Sequence, residues 1–210
     1  MRALVLLSSG IDSPVAAALV ARSGTGVDLL HMDNRPFSDD EGRDKAIRLA
    51  KHIAGMIPGP TRLIVAPHGE SAQREIGRHC ETRLQCVLCR RFMYRTACAI
   101  GREQGHTAIV TGENLGQVAS QTLDNLRAES PAADLPVLRP LIGWDKMEIV
   151  AAATELGTFE ISVEPSLCCL LAPEKPSIRA TLATVLKEEE KLDVEGIVRR
   201  SIEGIEIIEL

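Results

Sequence analysis

The stretch ALVLLSSGIDSPVA, residues 3–16, decides how the chain is read. Ala3–Leu7 is a continuous apolar run, as a strand buried on both faces requires. It stops at the small polar turn Ser8–Ser13, with Gly10 inside it. Pro14 then stands in the first turn of a helix running through Val15–Arg22, where its missing N–H costs nothing. Turn amides and a helix start in that order form an anion site, because their N–H groups point outward along a favourable dipole. Ser8, Ser9 and Ser13 add hydroxyl donors. Asp12 repels an anion, so it reads as a magnesium ligand or as the cap of the helix. No lysine follows, which separates this loop from the Gly-x-x-x-x-Gly-Lys type. Without further information, a plain strand–turn–helix junction capped by Asp12 or Ser13 explains the same residues.

Outward from this loop, short apolar runs alternate with helical stretches. Val27–Met32, Leu63–Ala66, Ala108–Thr111 and Val137–Arg139 read as strands. Glu41–Ile57, Arg91–Gln104 and Asp145–Leu156 read as helices, the first ended by Pro58-Gly59-Pro60 and the last by Gly157. Buried strands alternating with helices imply an α/β fold, a doubly wound parallel sheet with helices on both faces. Ligands in such sheets bind beyond the carboxyl ends of the strands. Three segments occupy such positions: Ser8–Ser13, His31–Met32 and Gly112–Gln121. A main domain over residues 1–180 is expected, with an acidic helical tail at 181–210 packed on it or on a second subunit. Asp145 and Lys146 read as an ordinary surface pair at a helix start.

The chain has 210 residues, 45% of them hydrophobic, enough for one α/β core. It has only one Trp, one Tyr and three Phe, which argues against a broad base-stacking surface. The formal net charge of −5 argues against an unaided grip on a large RNA, because phosphate contacts dominate such affinity. Arg83, Arg90, Arg91 and Arg95 make a local basic cluster. No apolar run reaches the roughly 18 residues of a membrane span, and a cytoplasmic location with reduced thiols is expected.

The six cysteines therefore read as chemistry or packing rather than as a disulfide framework. Cys98 and Cys80 suit packing. Cys86-Val87-Leu88-Cys89 has the spacing that brings two thiolates to one metal or one disulfide, and Cys168-Cys169 is a vicinal pair. Inert thiols, a zinc site on Cys86, Cys89, Cys168 and Cys169, and an iron–sulfur cluster on three thiolates all remain open.

The loop SSGIDS resembles the Ser-Gly-Gly-x-Asp-Ser loop of the ATP pyrophosphatases, with Ser9 where the family has glycine. The longer string SSGIDSPVA is similar to the tRNA 4-thiouridine synthases, also known as thiamine-biosynthesis sulfurtransferases. So are VLCRRFMYR at 87–95, TGENLGQVASQTLDNL at 111–126, LRPLIGWDKMEIV at 138–150 and LGTFEIS at 156–162. The resemblance runs from about Ala3 to Arg179. It implies the adenine nucleotide α-hydrolase fold, with ATP and Mg2+ as cofactors and a tRNA uridine that is adenylated and then thiolated. It also implies a nucleotide pocket lined by Leu6, Leu7, His31, Met32, Arg90, Gly112 and Gln121. Bacterial members transfer persulfide sulfur between two cysteines, one in a loop matching Cys168-Cys169 and the other in a rhodanese domain, whereas archaeal-type relatives carry Cys-x-x-Cys at Cys86 and Cys89. In those relatives the two thiols join a later cysteine, here Cys169 or Cys168, to hold a 4Fe–4S cluster. The family's RNA-binding and rhodanese domains have no counterpart in these 210 residues. A separate RNA-binding partner or a homodimer pooling Arg83–Arg95 is therefore expected, with sulfide or persulfide as donor. Two rival readings are sulfur insertion into a small molecule or carrier protein, and a nucleotide-binding regulator without catalysis.

Overall fold

A computed structural model describes residues 1–167 and 169–210; Cys168, one of the two candidate third ligands, lies outside the described residues. In chain order the larger elements are β1 (Arg2–Leu6), α1 (Asp12–Arg22), β2 (Gly26–Met32), α2 (Asp40–Ala54), β3 (Arg62–Ala66) and a π-helical turn (Gly69–Gln73). There follow α3 (Arg74–His79), α4 (Gln85–Glu103), β4 (Ala108–Val110), α5 (Leu123–Glu129), β5 (Val137–Leu138) and α6 (Lys146–Glu155). The chain continues with α7 (Phe159–Ser162), α8 (Leu182–Glu189), α9 (Val194–Glu203) and β6 (Glu206–Glu209).

The strands form one sheet in the order β5-β4-β1-β2-β3-β6. All pairings are parallel except the last, where β6 runs antiparallel to β3. The sheet is therefore mixed at one edge. The apolar close of the tail, expected to be helical, supplies that edge strand.

Alternate residues of each strand face opposite sides, as a pleat dictates. Ala3, Val5 and Leu7 of the β1 region pack with Val15, Ala16, Ala50, Ile53 and Ile149 from α1, α2 and α6. Leu4 and Leu6 face the other way, against Tyr94, Ala97 and Ile100 of α4. Leu4 and Val5 are wholly buried. Burial of each such side chain is worth about 1.5–3 kcal/mol. A third apolar cluster lies beyond the sheet, where α4 meets α5, α8 and α9 through Val87, Leu88, Phe92, Ala128, Val185 and Ile197.

Successive strands step from β1 to β2 to β3, and the chain then returns to place β4 on the other side of β1. That reversal opens a crevice at the carboxyl ends of β1 and β4. No helix among the described residues is long and apolar enough to cross a membrane.

Candidate active site: a phosphate loop beside a thiol cleft

The crevice is a cleft of about 260 Å³ lined by Leu6, Leu7, Ser8, Ser9, Gly10, Asp12 and Ser13 from the first crossover. His31 and Met32 come from the end of β2, and Thr111, Gly112, Glu113 and Gln121 from the segment after β4, with Arg90 closing one side. Every residue assigned to the nucleotide pocket from sequence lines this one space. The loop is preorganised: Ser8 N–H donates to Ser13 Oγ at 2.8 Å, and the two hydroxyl oxygens lie 3.0 Å apart. Gly10 N–H donates to Ser8 Oγ at 3.2 Å. The first N–H groups of α1, lacking intrahelical partners, open beside it.

Gly112 is fixed by contact. A Cβ there would lie 2.6 Å from Ser13 N and 2.7 Å from Ser13 Cα, so the end of β4 touches the backbone of the phosphate loop. His31 is buried, and its Nδ1 lies 3.0 Å from the Leu7 carbonyl oxygen. A carbonyl only accepts, so Nδ1 carries the proton and Nε2 keeps a lone pair. Burial lowers the His31 pKa and keeps the ring neutral.

Two expectations change here. Asp12 and Ser13 are not the cap: the cap position is Ile11 and makes no side-chain bond. Asp12 instead receives Lys146 Nζ at 2.6 Å. Lys146, read as one of a surface pair, brings to this loop the cation its own sequence lacks. Asp145, its neighbour, caps α6 in a capping box with Glu148. Lys146 could have been suspected only from its place just after the β5 crossover, on the ligand side of the sheet.

Arg90 belongs to a buried network. Glu113, 1% exposed, accepts Tyr94 Oη at 2.5 Å, Thr111 Oγ1 at 2.9 Å and Arg139 Nε at 2.6 Å, with Arg90 Nε at 3.5 Å. Burial disfavours its charge, yet Arg90, Tyr94 and Arg139 outweigh this and hold the carboxyl below its usual range. Glu129 is the opposite case. It is fully buried, neither oxygen has a partner among the described residues, and burial pushes its carboxyl up to about 9 against the pull of Arg90.

The expected basic cluster is not a surface patch. Arg91 is buried and grips Glu189 with two bonds of 2.8 and 2.9 Å, while Arg95 binds the same carboxylate. Arg90 turns inward to Glu113, which leaves Arg83 exposed. A dimer could not pool this set.

α4 begins at Gln85, six residues before the expected start, so Cys86 and Cys89 sit in its first turns. Together with Cys169 they line a second cleft of about 190 Å³ that also holds Asn34, Gln73, Arg90, Met93 and Ser120. Cys169 is brought there by its neighbour Leu170, whose N–H donates to the Phe37 carbonyl at 2.8 Å. Burial pushes the Cys89 thiol up to about 12 and raises Cys86 as well. Such thiols are weak nucleophiles until a nearby cation or a metal stabilises the thiolate and the proton is lost to solvent. Among the described residues, no three His, Cys, Asp or Glu side chains converge on a single metal ion. The zinc reading takes Cys168 as its fourth donor, and that residue lies outside the described residues. Three thiols spread around one cleft fit a multi-iron cluster, which takes its ligands at separate irons. Cys98 is buried in the core and Cys80 packs at the edge of the third cluster, as expected of packing residues.

A phosphate-binding turn at the switch point of a doubly wound sheet defines an α/β nucleotide-binding domain of the PP-loop type. The sequence model of the family described as Thiamine biosynthesis protein (ThiI) matches residues 1–194, and the chain belongs to that family. A probable tRNA sulfurtransferase of Thermus thermophilus is 46% identical over 209 residues, covering 99% of this chain and 51% of its own. One from Moorella thermoacetica is 40% identical over 209 residues, covering 99% and 53%. The chain thus spans about half the length of the curated relatives it matches. A crystal structure of a 4-thiouridine synthetase–RNA complex with bound ATP matches at a TM-score of 0.94 and 33% identity, over 100% of this chain and 55% of that one.

Proposed function

We propose that this chain is the adenylating and sulfur-inserting part of a tRNA sulfurtransferase, with residues 1–180 as its PP-loop domain and 181–210 as a brace. The observation that carries the reading is a common wall: Asn34, Arg90 and Met93 line both the phosphate-loop cleft and the thiol cleft. An acceptor carbonyl at that wall faces a nucleotide on one side and sulfur chemistry on the other. The relatives named as tRNA sulfurtransferases and the ATP-bound, RNA-bound structural relative support the same assignment.

ATP occupies the first cleft. Leu6, Leu7 and Met32 flank the base, and the His31 Nε2 lone pair suits its exocyclic amine. Ser8, Ser9, Gly10 and Ser13 donate to the phosphates, Gly112 admits the chain's close approach, and Gln121 reads the ribose side. Arg90 and Lys146 supply positive charge. Asp12 would hold Mg2+, which offsets charge on departing pyrophosphate when bound. O4 of a tRNA uridine attacks the α-phosphorus and pyrophosphate leaves. Sulfide then adds at the activated carbon, and AMP departs with the former carbonyl oxygen; a persulfide adding there leaves an S–S bond that a second thiol must open, the thiol and the donor sulfur leaving as a disulfide. Adenylation makes a poor leaving oxygen a good one, and the shared wall keeps both steps in one place.

Cys86, Cys89 and Cys169, or Cys168 in place of the last, would hold a 4Fe–4S cluster, which when bound offers one iron free of protein ligands to sulfide. With a net charge of −5 and with Arg91 and Arg95 paired to Glu189, the chain grips tRNA weakly alone. A separate RNA-binding partner supplies the missing phosphate contacts. A tRNA substrate and reduced thiols place the reaction in the cytoplasm.

Deletion of the gene should remove 4-thiouridine from tRNA nucleosides measured by mass spectrometry, and unchanged 4-thiouridine would overturn the assignment. Protein purified without oxygen should be brown and contain iron and acid-labile sulfide. Cys86→Ala or Cys89→Ala should lose colour and thiolation together while AMP formation survives. Colourless anaerobic protein with full thiolation activity would remove the cluster.

A further inference from the structure

Two buried polar side chains that the mechanism above does not use meet the thiols of this cleft, and one of them, Gln73, lines it. His68 follows β3 and is wholly buried. Its Nδ1 has no partner among the described residues, and its Nε2 lies 3.2 Å from Cys89 Sγ. Gln73 is 4% exposed; its Nε2 lies 3.5 Å from both Cys89 Sγ and Cys169 Sγ, and its Oε1 has no partner among the described residues. Burying an imidazole and an amide costs free energy unless their hydrogen bonds are made. Here the sulfurs are the partners of both side chains among the described residues. An apolar residue would fill either position without orphaned atoms, so the polar groups act on the sulfurs and not on the packing.

The backbone between them is built for this. Gly69–Gln73 is a π-helical turn, closed by Arg74 N–H on the Gly69 carbonyl. The i→i+5 turn is wider than an α-helical one and brings positions five apart closer to one face. His68 and Gln73 are five apart, and both meet Cys89. The turn is also anchored: a Cβ on Gly69 would lie 2.2 Å from the Arg35 carbonyl oxygen and 2.4 Å from that of Asn34.

We propose that His68 and Gln73 are positioning residues of the sulfur centre, donating N–H bonds to the Cys89 and Cys169 sulfurs and so holding them as ligands towards the cleft shared with Arg90. The proposal rests on reading Cys86, Cys89 and Cys169 as cluster ligands. Donors to ligand atoms fix their orientation, and donors to cluster sulfurs tune the potential.

The test uses the 210-residue protein, reconstituted without oxygen with iron and sulfide, as parent, His68→Leu, His68→Gln and Gln73→Leu. Three quantities are measured: bound iron, the rate at which a chelator strips it, and the midpoint potential. His68→Leu and Gln73→Leu should lose iron about 10–100-fold faster than the parent. Their potentials should move negative, because donors to thiolate favour the reduced, more negative cluster. His68→Gln, whose amide nitrogen can stand near Nε2, should recover most of the parent's values. If His68→Leu does not fold, Gln73→Leu carries the same comparison at both sulfurs. Parent-like stripping rates and potentials in the folded leucine variants would overturn this proposal alone. So would a folded His68→Gln that behaves like the leucine variant. A parent that takes up no iron would overturn the cluster reading, and this proposal with it.

Discussion

Gly112→Ala is the sharpest probe of the phosphate loop, because one methyl group enters a contact between two elements. The backbone angles at Gly112 are open to any residue, so the effect is purely steric. The new Cβ would meet Ser13 N at 2.6 Å, Ser13 Cα at 2.7 Å and the Asp12 carbonyl carbon at 2.9 Å. All three are main-chain atoms and cannot rotate away. The loop must retreat by roughly 0.8 Å to reach ordinary contact, and overpacking of this kind costs about 1–3 kcal/mol. For a domain of this size that lowers Tm by roughly 2–12 °C. The same shift displaces Ser13 from the phosphates, and misplacement near 1 Å costs about 10²-fold in rate. Thermal melts and AMP formation from ATP, measured on the same preparation, check both effects. Parent values of Tm and of AMP formation together would refute the contact and the loop's role.

Other substitutions separate the remaining parts. Asp12→Asn should fold normally and form no AMP; Lys146→Met should lower AMP formation at least 10-fold with little change in Tm, since a surface-accessible ion pair is worth about 0–1 kcal/mol. Full AMP formation by either folded variant would remove that residue from the site. Arg90→Ala should raise the Kd for ATP in equilibrium binding more than it lowers the rate at saturation. Glu129 has a pKa raised to about 9, so its contribution to stability is complete below the unfolded carboxylate pKa and is lost as pH rises towards 9. Glu129→Gln should therefore gain Tm over the parent progressively from about pH 5 to 9 and hold that gain above it, and parallel Tm curves would contradict the assignment.

Much of this was legible because the signals were local. A strand buried on both faces reads as an unbroken apolar run, and the loop after β1 carries its hydrogen-bonding groups within six residues. The nucleotide-cleft residues follow strand ends, which a parallel sheet must gather on one side. What stayed hidden depends on contacts distant in sequence. Lys146 meets Asp12 across 134 positions. Arg91 meets Glu189 across 98, so a basic run in the sequence becomes an internal clamp. The strand Glu206–Glu209 has too few residues for a period to show, and its state is set by the open edge of β3. No residue type marks a π-helical turn, so His68 and Gln73 read as ordinary polar residues until the fold brings Cys89 to them.

The clamp at Glu189 also bears on how the molecule is made. α4 carries Cys86, Cys89 and Arg90, yet its buried Arg91 has no carboxylate until residue 189 arrives. β3, from which His68 follows, lacks its outer neighbour until residues 206–209 arrive. On a ribosome, where segments appear in order, roughly a hundred residues are synthesised while that guanidinium waits in an unfinished interior. At ~5–20 residues per second this is an interval of about 5–20 s. Nucleotide-loop elements up to β4 can assemble in that time, whereas the sulfur side is completed only by the last helices and strand. Loading of any metal group should therefore follow release of residue 189 and trail the assembly of the nucleotide loop.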